Sequence, residues 1–260
     1  PRGEINSPES LHNFWQLRSV SPAIQGNAVD SLAITSDSKS METQQLAELR
    51  QEIVDIAHQL AERGLVEGSA GNISCRYGDN FLVTATGARF YNITVDQVPL
   101  VDANGVVLDG NVKPTSEMQM HLGVYESDPK AQAVVHTHSP YATALSLVLD
   151  EVPLIHYTQL TLGGSIKVAP YATFGTKKLA DIVKKKILGQ KGIILKAHGT
   201  ICSGKTLESA AENAELLEWV CKVYHIASAH GEPREMKPCE VVGVAAAAKL
   251  KSYGTVQKTK

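Results

Sequence analysis

The chain is 260 residues long, 43% hydrophobic and 20% charged, enough for one large domain or two small ones around a buried core. Its formal net charge of −2 leaves no basic surplus to neutralise phosphates, which speaks against a general nucleic-acid binder. No apolar run approaches the ~20 residues that cross a membrane, and no signal-peptide pattern is seen. Four scattered cysteines (Cys75, Cys202, Cys221, Cys239) without a C-x-x-C pair point to reduced thiols in a cytoplasmic protein.

Residues 1–40 hold eight serines, three prolines and no sustained periodicity, the composition of a flexible leader. The first methionine is Met41; we expect the native start there and a single domain over 41–260. The alternative is an authentic extension in which Phe14, Trp15 and Leu17 dock. From Thr43 the steps between Leu46, Leu49, Ile53, Ile56 and Leu60 predict a helix, with Gly64 as its stop. The small-residue loop 67–74 then enters a strand. Its glycines let backbone N–H groups approach an anion, although an ordinary turn has the same composition. Phe81 to Thr84 is a second strand, and 98–101 with 106–108 around Asn104-Gly105 reads as a hairpin.

Pro114-Thr115-Ser116-Glu117 opens a helix over 116–127, with Thr115 or Ser116 as N-cap and Glu117 in the first turn. A carboxylate there favours the helix dipole whatever else it does. The β-branched run 131–136 is a strand. Helix Pro140 to Leu149, strand Val152 to His156, a turn at Gly163-Gly164, strand Ile166 to Val168 and helix Lys177 to Leu188 follow. Then come strand Ile193 to Leu195, a long helix from Leu207 to Ala229, and a last helix from Pro238 to Tyr253-Gly254. The pattern is α/β: three layers, with a central mixed or antiparallel sheet and helices on its faces.

His136 and His138 are two residues apart at the end of the apolar strand, so both side chains fall on one face and can grip one metal ion. Alone, such a pair is more often packing than ligation. Gly199 to Thr206 fits G-x-x-x-x-G-K-T, but only 54 residues follow it, and none of them reads as a strand ending in an acidic Mg²⁺ ligand. The phosphate-loop reading is therefore rejected. That frees His198, which follows an apolar strand as His136 and His138 do. Three histidines at strand ends suit a His₃ catalytic site with open positions, and Glu117 is either a fourth ligand or a neighbouring base. His58 and His225 lie within helices, His121 reads as packing, and His12 belongs to the leader.

Gly-Ser-Ala-Gly-Asn at 68–72, Thr86-Gly87, Pro-Thr-Ser-Glu at 114–117, His-x-His at 136–138 and His-Gly at 198–199 together resemble the class II aldolase/adducin family. Ile155-His156-Tyr157, Gly163-Gly164, the run 169–176 and Lys251-Ser252-Tyr253-Gly254 resemble its sugar-phosphate aldolase branch. The match runs in order from about residue 45 to 255. It departs at Thr115, where serine is usual, and at Ala197, where a second histidine commonly precedes the ligand.

The resemblance implies one Zn²⁺ per subunit held by His136, His138 and His198, with Glu117 as an exchangeable fourth ligand and acid/base. It implies that Tyr157 handles the second proton and Tyr253 helps position the aldehyde part, and that Asn72, Thr86, Gly87, Thr115 and Ser116 bind the substrate phosphate. The implied reaction is cleavage of a ketose 1-phosphate, L-fuculose 1-phosphate or a close analogue, to dihydroxyacetone phosphate and an aldehyde through an enediolate. A homotetramer with sites at subunit interfaces is implied too, with no nucleic-acid or membrane partner. Ribulose-phosphate 4-epimerases, sugar-phosphate dehydratases and the non-enzymatic adducin-like modules share the pattern and stay as alternatives.

Overall fold

The computed structural model describes the backbone of residues 28–251 and the side chains of residues 41–247; Phe14, Trp15, Leu17 and Tyr253 lie outside them. Helix α1 (Ala28–Glu62) starts well before the expected Thr43, so the end of the 1–40 stretch is helical backbone. Extending a formed helix costs far less than nucleating one, and that favours such an extension even through weak formers. Among the described residues, 43–251 form one compact unit and 28–42 group separately.

Hairpin β1 (Asn72–Tyr77)–β2 (Asn80–Val83) is followed by the expected hairpin β3 (Leu100–Val101)–β4 (Val107–Asp109). Next come α2 (Met118–Ser127), β5 (Ala133–Thr137), α3 (Pro140–Ser146), β6 (Glu151–Val152), α4 (Gln159–Leu162) and β7 (Ile166–Ala169). Helix α5 (Lys177–Lys186), β8 (Gly192–Leu195), β9 (Gly199–Gly204), α6 (Leu207–Ser228) and α7 (Pro238–Lys251) complete the order. The nine strands form one sheet in the order β4-β3-β2-β1-β5-β9-β8-β7-β6. Every pairing is antiparallel except β7–β8. The expected mixed sheet is present.

Strand alternation divides the core into two layers. Val135, Ile194 and Cys202 face one side, where α1 (Ile53, Leu60), α3 (Leu145) and α6 (Leu207, Leu217) cover them. Their neighbours Val134, Ile193, Leu195 and Ile201 face the other, under α2 (Met120, Val124) and α5 (Leu179, Val183). Thr206 caps α6, its hydroxyl accepting from the Ser209 N–H at 3.0 Å, and Thr176 caps α5 in the same way through Leu179.

Two expectations need correction, and a third holds. The strand predicted over 152–156 pairs only at Glu151–Val152, because the Gln159 side-chain oxygen accepts both the Ile155 and His156 N–H groups at 2.9 Å. Those donors are satisfied without a ladder, and the chain turns into α4. Helix α2 begins at Met118 with Glu117 as N-cap residue and no side-chain cap; the Thr115 hydroxyl instead accepts the Glu117 N–H at 3.2 Å. Finally, Gly199–Gly204 is strand β9, paired to both β5 and β8. An extended segment bonded on both edges has no loop in which to cradle phosphates, so the rejection of the phosphate-loop reading holds.

Candidate metal centre and substrate pocket

The site lies where β1, β5 and β9 meet the start of α2. Registers pair Asn72 with His136 and Thr137 with Thr200, which puts the start of β9 beside the end of β5. Gly199 is required for this approach: a Cβ there would stand 2.1 Å from the Thr137 carbonyl oxygen. Just before it, Ala197 holds φ at 53°, a left-handed conformation costing an L-residue roughly 1–2 kcal/mol. Its N–H is secured by the Ser146 hydroxyl at 2.9 Å. The turn brings His198 round to face His136 and His138.

The three imidazoles form a nearly regular triangle, with ring centroids 4.8–4.9 Å apart and interplanar angles of 67–88°. The Nε2 atoms of His136 and His138 are 3.1 Å apart, and a ligand atom from each of the three lies within 4.8 Å of the others. Glu117 closes the fourth side, with Oε2 3.3 Å from His136 Nε2 and Oε1 3.4 Å from His198 Nε2.

The electrostatics suit a cation. Burial pulls the His136 pKa well below its ordinary value, and the neighbouring His198 and His138 add to this. Burial, then His198, pushes His138 down to about 4. His198 is lowered by burial against the opposing pull of Glu117. Three neutral imidazoles therefore converge with one carboxylate, the donor set of an open divalent site. Glu117 Oε1 is buried without a hydrogen-bond partner among the described residues, and such an orphaned atom is costly unless a ligand meets it. The residues fit a metal.

Beside this cluster opens a pocket of about 540 Å³, walled by Ser69 to Asn72, Ala85 to Gly87, Thr115 to Glu117, His138, Phe174 and Ala197-His198. A bridge between Ala85 and Pro114 clamps the second and third of these segments together, so Thr86, Gly87, Thr115 and Ser116 share one rim. Every predicted phosphate-binding residue lines this pocket, as do Glu117, His138 and His198. His136 sits fully buried behind them. Asn72 is partly committed: its Nδ2 donates to Glu117 Oε2 at 2.9 Å and its Oδ1 meets His121 Nε2 at 2.5 Å, leaving one amide hydrogen for a ligand.

Tyr157 does not line the pocket. It stands 54% exposed ahead of α4, against His156, which in turn contacts Trp219. Phe174 lines the pocket and was not named as a site residue, although it lies within the run 169–176, whose resemblance to the family was the available signal. His121, read as packing, belongs to the polar network behind Glu117. The spacing 117/121/125, one helical face, was the available clue.

The family model described as "Class II Aldolase and Adducin N-terminal domain" matches residues 51–225. The chain is 36% identical over 207 residues to an L-fuculose phosphate aldolase of Escherichia coli K12, covering 79% of this chain and 95% of that protein. It is 33% identical over 207 residues to a 5-deoxy-D-ribulose 1-phosphate aldolase of Bacillus thuringiensis (79% and 96% covered). Identity to a 3-oxo-tetronate 4-phosphate decarboxylase of Haemophilus influenzae is 36% over 180 residues (66% and 84%). A solved L-fuculose 1-phosphate aldolase superposes with a TM-score of 0.73 at 31% identity, over 78% of this chain and 96% of that one. The chain belongs to the class II aldolase/adducin family and is a class II aldolase.

Proposed function

We propose that the pocket cleaves a ketose 1-phosphate, L-fuculose 1-phosphate or a close analogue, to dihydroxyacetone phosphate and an aldehyde such as L-lactaldehyde. The observation that carries this reading is the unpartnered Glu117 Oε1, facing a neutral three-histidine cluster beside a pocket rimmed with hydroxyl and amide donors. His136, His138 and His198 would hold one Zn²⁺ per subunit, with Glu117 as the exchangeable fourth ligand. When bound, the ion supplies Lewis-acid polarisation of the ketose carbonyl and hydroxyl oxygens.

This chain's residues perform the remaining work. Thr86, Gly87, Thr115, Ser116 and the free amide hydrogen of Asn72 bind the phosphate, fixing the sugar so that the breaking bond lies beside Glu117. As the C–C bond breaks, its electron pair stays on the ketone-side carbon, and Glu117, having taken up a proton from solvent at Oε1, delivers it there and is left as the carboxylate. The hydroxyl on the other carbon loses its proton and becomes the aldehyde. We assign that proton to Tyr157, with Tyr253 positioning the aldehyde part, both acting on the pocket of a neighbouring subunit in a homotetramer. The exposure of Tyr157 away from its own pocket supports a role across an interface. The reading places the enzyme in the cytoplasm, with no nucleic-acid or membrane partner.

A second reading draws on the decarboxylase relative, since loss of CO₂ also leaves a charge next to a carbonyl. A panel of ketose 1-phosphates, with ribulose 5-phosphate and 3-oxo-tetronate 4-phosphate included, separates the cases. Release of dihydroxyacetone phosphate is expected from a ketose 1-phosphate. Epimer formation without release would favour an epimerase, and CO₂ release alone a decarboxylase. Activity that survives complete metal removal would sink the metal-dependent mechanism.

A further inference from the structure

We infer that His121 is a positioning residue for Glu117, acting through a buried one-way chain of hydrogen bonds that runs from Tyr125 through Ser74, His121 and Asn72 to the Glu117 carboxylate. The inference rests on the reading of Glu117 as the proton-transfer group.

The links are short and buried. The Tyr125 hydroxyl is 2.9 Å from Ser74 Oγ, and Ser74 Oγ is 2.7 Å from His121 Nδ1. His121 Nε2 is 2.5 Å from Asn72 Oδ1, and Asn72 Nδ2 is 2.9 Å from Glu117 Oε2. Two periodicities assemble them. Glu117, His121 and Tyr125 recur every four residues at the start and along one face of α2, while Asn72 and Ser74 lie two apart on one face of β1.

The direction of the chain follows from what each group can do. Asn72 Nδ2 donates to Glu117 Oε2, which turns the amide Oδ1 away towards His121. Oδ1 only accepts, so His121 Nε2 must carry the proton. The neutral ring then accepts at Nδ1, which requires the Ser74 hydroxyl to donate, and Ser74 Oγ in turn accepts a hydrogen bond from the Tyr125 hydroxyl. Reversing the chain would set Asn72 Oδ1 against a carboxylate oxygen. His121 is fully buried, and burial drives its pKa down to about 3, so the ring stays neutral, as the chain requires.

The consequence is an asymmetric carboxylate. Oε2 is tethered by Asn72, while Oε1 has no hydrogen-bond partner among the described residues, so Oε1 is the oxygen left free to exchange a proton. Losing the tether lets Glu117 rotate, and a misplacement of about 1 Å costs roughly 100-fold in rate.

The test combines a spectroscopic and a kinetic arm on the full-length, metal-loaded protein. Nitrogen-15 NMR of labelled histidine should show His121 protonated at Nε2 and bare at Nδ1; the opposite tautomer overturns the inference, and this arm needs no turnover. In the kinetic arm, His121→Leu should lower kcat about 100-fold with bound metal near wild type. His121→Gln, which still offers an N–H towards Asn72, should recover most of the loss. Equal kcat in both variants and wild type, or equal losses in both accompanied by lost metal, overturns it. Should His121→Leu fail to fold, Ser74→Ala replaces it and should give a mixed His121 tautomer with a smaller fall in kcat; an unchanged tautomer and rate overturn the inference. A wild-type protein that cleaves no ketose 1-phosphate counts against the aldolase substrate reading instead, and the tautomer then decides the chain.

Discussion

His136 Nδ1 lies 2.7 Å from the Thr200 carbonyl oxygen. A carbonyl only accepts, so Nδ1 carries the proton and Nε2 presents its lone pair to the cluster. The acceptor is backbone of the adjacent strand, which fixes both tautomer and ring orientation as an outer partner of a metal ligand does. His136→Ala should therefore weaken zinc binding by more than the roughly 100-fold typical of losing an outer partner. Metal content after dialysis against a mild chelator, together with a zinc titration, checks this. Full occupancy in the variant would remove His136 from the ligand set.

Glu117→Gln separates holding the metal from moving the proton. The amide keeps the size of the side chain and an oxygen for Asn72 Nδ2 to meet at the 2.9 Å position, yet it cannot exchange a proton at carbon. Turnover should fall about 10²–10⁴-fold, the usual worth of general acid/base catalysis, with all three histidines still supporting bound metal. Turnover within a few-fold of wild type would assign the proton transfer elsewhere.

How much of this was legible in the sequence depends on the range of the interaction. The stripe of α6 and the apolar runs of β5 and β8 are local periodic signals, and each element formed where expected. The convergence of His136, His138 and His198 was foreshadowed too, by strand period for the first two and by the position just past β8 for the third. Strand β9 was not: Thr200, Cys202 and Ser203 between two glycines carry no apolar alternation, and only pairing to β5 and β8 on both edges makes the segment a strand. The short β6 shows the reverse, since one glutamine side chain seven positions past the strand's end took the donors that a longer strand would have used. Nor could spacing alone reveal that His121 finds its partners across 47 and 49 residues of chain.

Beyond the site, the C-terminal end of α2 carries a pH-dependent contact. Asp128 accepts from Lys191 Nζ at 2.5 Å and from the Lys130 N–H at 3.0 Å. The Lys191 hydrogen bond above all holds its carboxyl below the usual carboxylate range. A depressed folded-state pKa contributes stability above the unfolded value near 4, lost as pH falls through the folded value. The pair is half open to water, so Asp128→Asn should cost only about 0.5 kcal/mol at pH 7. That difference should shrink in high salt and be smaller at pH 3 than at pH 7. Denaturant unfolding at both pH values reads it; an equal penalty at both would show that charge is not the cause.

The approach of β9 to β5 is the tightest contact supporting the site, and Gly199→Ala tests it directly. The added Cβ would stand 2.1 Å from the Thr137 oxygen, 3.1 Å from the Thr137 carbonyl carbon and 3.2 Å from the His138 Cα. All three are backbone atoms, so no rotamer change relieves the clash and the strands must part. Overpacking of this kind costs about 1–3 kcal/mol. The displacement acts on the peptide unit joining Thr137 to His138 and on the residue after His198, so zinc affinity should fall together with the melting temperature. Gly243→Ala on α7, where a Cβ meets nothing within 4 Å, is the control and should stabilise by about 0.5–1 kcal/mol through helix propensity. Gly199→Ala that melts with wild type and keeps its zinc would mean that the β5–β9 junction yields without moving the histidines, and that their convergence does not depend on this glycine.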